Sequence, residues 1–496
     1  MSNIKSARTS LTIIVILFTF SLSYGQYNNT VISDAAKDQC ETVITVNPLR
    51  PNEMLAGWSD YRKEIFPLEP YFAFSTDGGK NWSSGLLEIF GDIYTRGSTP
   101  SVAFDRHGTA FYTCSAINTD PQNREQSIYV SRTDNFGFEW HHTRLPSIFN
   151  SEQEKPYIAI DNTGSNYDGN IYVSWTDFKS AGNITSKILF SYSNNGGISF
   201  SNPIELGFID ETIGTACSLM PTLNPPQTHD FFGHFVQSSM TAIAPNGDVY
   251  VVWWNADFGD VSQSRWDNST LKLRKSTNGG IDWTPPINEE PKVVSDNVNV
   301  PFTRYYYLAA GRYKITSYPV IACDPLNENN IYVAYTSGIS ETDITPRIMW
   351  IRSIDKGDNW SQPIPIGEIG DAGAEFFPAI TVEPSGRITI EYIHSYSYPS
   401  YPDPGDYFVD TYITTSVNNG ESFLPPVKVS KNISDANIGS NVGFFYQGCS
   451  SVQGTIFPIW ADFSNEDPQM RPDVYFSPIT MVDDVSPDTW SDNVYV

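Results

Sequence analysis

The sequence predicts an all-β fold, a propeller of four-stranded antiparallel blades closed into one ring, with seven blades expected and six the alternative. Three observations predict it. A turn pattern, Ser/Thr-x-Asp/Asn-x-Gly-x-x-Trp/Phe, recurs six times in phase. Each copy follows an apolar run of strand length, such as Tyr71 to Phe74. Composition agrees: 14% aromatic residues, 34 Gly, 34 Pro and only 17% charged residues suit many short strands and turns better than long helices. At 496 residues the chain is long for one ordinary domain, but a ring grows by adding units around an axis.

Taken from the N-terminus, the first element is an expected signal peptide over residues 1–25. Lys5 and Arg8 precede the apolar stretch Leu11 to Leu22, and Ser23-Tyr24-Gly25 supplies small residues at the cleavage point. The stretch is shorter than the roughly 18 to 20 residues a membrane span needs, and no Cys follows it to carry a lipid. Residues 26–496 are then a secreted or periplasmic propeller with no insertion into a membrane.

The repeat copies are Ser75-x-Asp77-x-Gly79-x-x-Trp82, Thr133-x-Asn135-x-Gly137-x-x-Trp140 and Ser193-x-Asn195-x-Gly197-x-x-Phe200. Three more follow at Ser276-x-Asn278-x-Gly280-x-x-Trp283, Ser353-x-Asp355-x-Gly357-x-x-Trp360 and Ser416-x-Asn418-x-Gly420-x-x-Phe423. The Asp or Asn accepts backbone N–H groups of a tight turn, the Gly takes positive φ, and the aromatic ring folds back onto the sheet. Because Asn replaces Asp freely, the carboxylate is a structural acceptor and not a catalyst. Two apolar strands stand ahead of each turn, as in Pro156 to Asp161 before Asn170 to Trp175. The repeat unit is therefore four strands with the motif at the third turn. Units are expected at about 40–90, 97–147, 155–207, 235–290, 315–368, 375–430 and 440–482. The last lacks the motif and is read from Asn441 to Tyr446, Thr455 to Trp460 and Asp473 to Ser477. The segment Thr30 to Ser33 is the candidate to complete it.

Net charge is −26, spread along the chain, which disfavours nucleic acid as a partner and suits solubility as a monomer. Five Cys, at 40, 114, 217, 323 and 449, form no metal spacing. Cys114 and Cys323 read as buried thiols, while Cys40 and Cys449 fall in the first and last units, where a ring-closing disulfide is expected. No P-loop, HExxH or GxSxG motif occurs, and no metal or cofactor is expected.

The six turns resemble the Asp-boxes, or BNR repeats, of the sialidase superfamily, over about residues 40 to 480. That resemblance implies a substrate face opposite the boxes, formed by loops leading into each inner strand and out of each second strand. It also implies a glycosidase of exo-sialidase type, in which Arg residues hold a substrate carboxylate and a Tyr nucleophile is activated by Glu. The family's Phe/Tyr-Arg-Ile-Pro motif is absent here. The positions so nominated are His234, Tyr306 and Glu375 for catalysis, and Arg62, Arg96, Lys155, Arg304 and Arg312 for substrate binding. A second repeat, Trp-x-Asp-aromatic or close to it, carries Asp60, Asp177, Asp257 and Asp462 at second-strand ends, where loop capping is expected. Two alternatives stand beside the hydrolase. A lyase on uronate-containing glycans would draw its base from His234, His394 or Tyr305 to Tyr307, with Arg312 neutralising the uronate. The other is a propeller that only binds glycan or protein. A carbohydrate partner is common to the first two.

Overall fold

The computed structural model describes residues 29–33, 38–61, 68–90, 95–118, 125–146, 151–179, 185–209, 234–257, 269–298, 317–339, 345–367, 373–396, 408–431, 434–435, 446–462 and 472–480. Among these residues there is no helix, and seven antiparallel sheets of four or five strands form seven blades.

Blades one to six each run through four strands in chain order, innermost first. Their inner strands are Gln39–Val46, Thr95–Phe104, Glu152–Ile160, His234–Ile243, Val320–Cys323 and Ala374–Val382. The expected inner strand of the seventh blade needs correction. It is Gly448–Val452, residues 441–445 lying outside the described part. Thr455–Asp462 and Asp473–Phe476 follow it. The N-terminal strand Thr30–Ser33 then supplies the outer strand, pairing Thr30 with Phe476 and Val31 with Tyr475. The two ends of the described chain thus lie in one sheet and hold the ring shut.

Blade faces pack on blade faces, so the second strands are buried on both sides and read as unbroken apolar runs, such as Ile331–Ser337. The turn motifs add a wedge between neighbours. In the first, Ser75 Oγ donates to Asp77 Oδ1 at 3.0 Å and accepts the Gly79 N–H at 2.9 Å, while Asp77 Oδ1 accepts the Asn81 N–H at 2.9 Å. Trp82 folds back to donate to the Gly79 carbonyl at 3.0 Å and meets Phe476 of the seventh blade edge-on at 5.3 Å. The same wedge recurs with Trp140 on Phe72 at 5.1 Å, Trp283 on Phe190 at 4.7 Å and Phe423 on Trp350 at 4.9 Å. In each case the ring reaches the preceding blade, so the motif glues the ring as well as turning the chain. Gly79, at φ 84°, has a second reason to be glycine: a Cβ there would run into the Phe476 ring.

The disulfide expected between Cys40 and Cys449 is not formed. Both are free thiols, as are Cys114 and Cys323, and Cys217 lies outside the described residues. Blade one and blade seven are joined instead by the N-terminal strand and by contacts such as Thr42 Oγ1 donating to the Ile459 carbonyl at 3.0 Å.

Candidate functional site at the mouth of the central channel

Five of the seven inner strands are interrupted near their start by a bulge, where the register against the second strand shifts. The shifts fall between Cys40 and Val43, Ser98 and Ser101, Glu154 and Tyr157, Gln237 and Met240, and Phe376 and Ala379. At each bulge one residue takes positive φ: Glu41 (56°), Thr99 (58°), Lys155 (51°), Ser238 (60°) and Phe377 (55°). Tyr318 and Gln447 stand at the matching places of the other two blades. In four blades Pro follows, at 100, 156, 319 and 378, and a bulge is where a strand tolerates a residue with no N–H to give. A non-glycine residue at such φ costs about 1 to 3 kcal/mol, and strain repeated on one ring around the axis marks a place where side chains are being aimed.

Lys155, Ser238, Tyr318 and Gln447 line an axial cavity of about 150 Å³ to which all seven blades contribute. Lys155 is its central charge. The ammonium lies 4.0 Å from Glu41 Oε1, 4.7 Å from the centre of the Tyr318 ring and 5.6 Å from that of Tyr446. Burial opposes its charge, but Tyr318, which also hydrogen-bonds it, Glu41 and Glu154 outweigh burial and raise its pKa, so it is a cation across the neutral range. Glu41 Oε2 accepts from Ser59 Oγ at 2.7 Å and from the Thr99 N–H at 2.8 Å, which fixes the carboxylate between blades one and two. Tyr446 donates to the Pro100 carbonyl at 2.9 Å, and burial, reinforced by Glu41, pushes its phenol well up. A cation, a carboxylate and two phenols thus share a largely water-excluded pocket.

Glu375 lies on the inner strand of blade six, directly across from His394 on the second strand, which is in turn across from Asp410 on the third. Glu375 Oε1 is 3.4 Å from His394 Nδ1, and its Oε2 is 3.3 Å from an Arg347 nitrogen of blade five. Asp410 accepts from Lys428 Nζ and Ser430 Oγ, each at 2.7 Å. Two nominated residues, Glu375 and His394, are therefore brought together, but both are buried in a charged ladder across blade six. Of the others, His234 is on its strand opposite Asp257, and Arg96 on its strand opposite Ile117, with both side chains outside the described part. Arg62, Arg304, Tyr306 and Arg312 lie outside the described residues altogether.

The Trp-x-Asp aspartates are buried, and side chains meet them. Asp60 accepts from the Trp58 indole at 3.1 Å and Gln39 Nε2 at 3.0 Å, and Asp462 from the Trp460 indole at 2.7 Å. Asp177 accepts from Gln153 Nε2 and Ser151 Oγ, both at 2.9 Å, and burial raises its pKa. Residues i and i+2 share one face of a strand, so the indole N–H and the carboxylate of one motif meet without any loop. These aspartates are structural, with caps drawn from side chains. The side chain of Asp257 lies outside the described part. Among the described residues no group of three or more His, Cys, Asp and Glu is placed to hold a metal ion.

Comparison with known proteins finds likeness only in shape. No protein-family model matches the chain, and no curated protein does. Solved structures with similar folds include an α-L-arabinofuranosidase from Fusarium graminearum, 13% identical over 77% of this chain and 93% of its own, with a TM-score of 0.45. The endosialidase of phage phi92 is 12% identical over 95% of this chain and 71% of its own, at 0.46. A PL25 ulvan lyase is 10% identical over 90% and 95%, at 0.49. The likeness is one of fold. These neighbours are themselves glycan-acting enzymes, two hydrolases by name and one lyase.

Away from the axis, Glu391 on the second strand of blade six is fully buried. Burial holds its carboxyl well above the ordinary range, and the Ile459 backbone N–H offsets only part of this. It is protonated in the fold, whereas in the unfolded chain it ionises above about pH 4.5. The folded state therefore binds more protons in that window, and stability falls as pH rises from the ordinary carboxyl pKa towards the raised one. Glu391→Gln is expected to flatten that fall and to be more stable than the parent at about pH 8, read from urea midpoints at about pH 4.5 and 8. An unchanged difference between the two midpoints would show that Glu391 is not the group responsible.

Proposed function

We propose that this chain is an exported, glycan-active propeller, and specifically a sialidase-like glycoside hydrolase acting on acidic glycans at the mouth of the central channel. The observation that carries the reading is the cluster of Lys155, Glu41 and Tyr318, drawn from three different blades, with Lys155 and Glu41 on strained bulges. In this reading Tyr318 is the nucleophile, Glu41 the base that takes its proton, and Lys155 the cation between them. Aromatic faces suit sugar rings, and the resemblance of the repeats to Asp-boxes supports the same class. The acidic group of the substrate falls to Arg62, Arg96, Arg304 and Arg312, whose planar guanidinium groups match a carboxylate. His234, Tyr306 and Glu375 stand as further catalytic candidates.

The contact between Lys155 and Tyr318 also favours a second reading, a lyase in which Tyr318 removes the proton α to a uronate carboxylate that Lys155 neutralises. Product mass separates the two. Full-length protein incubated with sialylated, uronate-rich and neutral glycans is expected to release fragments carrying one added water. Lys155→Met, with its fold checked by circular dichroism, should lower kcat/KM about 100-fold or more, as loss of a transition-state charge partner does. Unsaturated uronate ends would replace the hydrolase with the lyase. Glycans returned intact would remove both.

A further inference from the structure

Beside Lys155, the wall of the axial cavity carries polar atoms that no described residue satisfies. The hydroxyls of Ser238 and Ser239 and both amide atoms of Gln447 are buried without a hydrogen-bond partner among the described residues. All three residues line the cavity, and their exposures are 5%, 5% and 6%. A native fold rarely leaves such atoms bare, because each forfeits its hydration with no return, and one cluster on one cavity points to a group that completes it. Much of the rest of the wall is apolar, with Val43, Met240, Val320 and Ala379 contributed by four different blades. Charge at the rim is already balanced, Lys155 facing Glu41 at 4.0 Å. An unpaired ionic group pushed down the axis would lose its water and gain no counter-ion. The guest that fits is uncharged, with hydrogen-bonding atoms beside a methyl. The volume, about 150 Å³, is that of cavities that hold benzene, about six heavy atoms, and is too small for a whole sugar ring with its substituents.

We propose that the axial cavity is a subsite for a methyl-terminated, uncharged substituent of the glycan, its polar atoms read by Gln447 and Ser238 and its methyl seated against Val320 and Ala379. This rests on the glycan reading above and adds the chemistry of one substituent. Two common sugar groups have this chemistry, the methyl edge of a 6-deoxyhexose and an acetamido group. Ligand-observed saturation-transfer NMR on the intact protein distinguishes them, with L-rhamnose, N-acetylglucosamine and the methyl-free sugar xylose as probes. The expected result is that one methyl, of rhamnose or of N-acetylglucosamine, receives at least about fivefold more transfer than any xylose proton. That signal should vanish in Ala379→Phe, which fills the cavity, and weaken in Gln447→Leu, both checked for native melting. A rhamnose signal assigns a deoxy-sugar subsite, and an N-acetylglucosamine signal an acetamido subsite. Equal transfer to xylose, a signal that survives in a folded Ala379→Phe, or no transfer to any probe overturns the proposal and leaves the cavity to water. Because the readout is binding, it stands or falls separately from any finding of hydrolysis or elimination.

Discussion

Replacing Arg274 with Met will cost the propeller about 4 kcal/mol or more, seen as a lower urea midpoint at nearly unchanged slope. The guanidinium is 2% exposed and has no carboxylate against it at contact distance among the described residues. Its charge is met by backbone carbonyls: Leu206 at 2.7 Å in blade three, then Pro285, Pro286 at 2.8 Å and Glu289 at 2.6 Å beyond the fourth turn motif. One planar fork with five donors therefore pins an irregular segment to its own blade and to the neighbouring one. Met keeps the volume but strands those carbonyls in the interior, and each buried acceptor left bare costs about 1 to 3 kcal/mol. Arg274→Lys tests geometry against charge. A single ammonium cannot reach carbonyls spread around the fork, so Lys is expected to recover less than half of the loss. A Met variant within about 1 kcal/mol of the parent would mean that the segment over residues 285–289 is held by its prolines and not by Arg274.

Deleting residues 1–36 will open the ring at the seventh blade. The strand Thr30–Ser33 is the outer neighbour of Asp473–Phe476, and among the described residues no other strand pairs with that side. Ile32 and Phe476 belong to one apolar cluster with Trp58 and Ile459, so the deletion also uncovers the joint between blades seven and one. Amide hydrogen exchange is the direct readout. Protection over residues 473–476 is expected to fall about 100-fold or more, a loss of roughly 3 kcal/mol in local opening energy, while the third blade keeps its rates. The bared edge is also a template for another chain, so the truncated protein should self-associate more than the parent. Unchanged protection over 473–476 would show that the ring closes without its N-terminal strand.

Much of the architecture is legible in the residues, for a physical reason. The turn motif fixes positive-φ glycine, acceptor and aromatic ring at set spacing, so six copies locate six blades, and the phase of the apolar runs places the strands between them. The seventh blade is legible only through its apolar strands, which is why its first strand is misplaced by a few residues. Thr30 to Ser33 was identifiable because a ring with a motif-less last unit needs a closing strand. The site is less legible. A search for charged residues in loops nominates Arg304 and Arg312, yet Glu41 beside Lys155 stands at a bulge inside a strand, and Tyr318, Tyr446 and Gln447, which line the cavity with Lys155, stand just ahead of inner strands. A signal for two of them was present: Lys155 and Tyr318 each precede a proline at the same point of the repeat, as Thr99 and Phe377 do. In blades two, three and six that proline follows a residue at positive φ in a bulge. Cys40 and Cys449 teach the opposite lesson, since adjacency of blades does not bring two sulfur atoms into bonding geometry.

The choice of acceptor in the six turn motifs has a consequence for acid. Four use Asn, at 135, 195, 278 and 418, and an amide has no proton to gain. In the other two, the side chain and backbone N–H of Asn81 hold Asp77 down to about 2, and Asn359 lowers Asp355 in the same way. A depressed carboxyl stabilises above its unfolded pKa and loses that contribution only as pH falls through the depressed value, here between about pH 4 and 2. Acidification down to about pH 4 therefore leaves the hairpins that wedge blade to blade untouched.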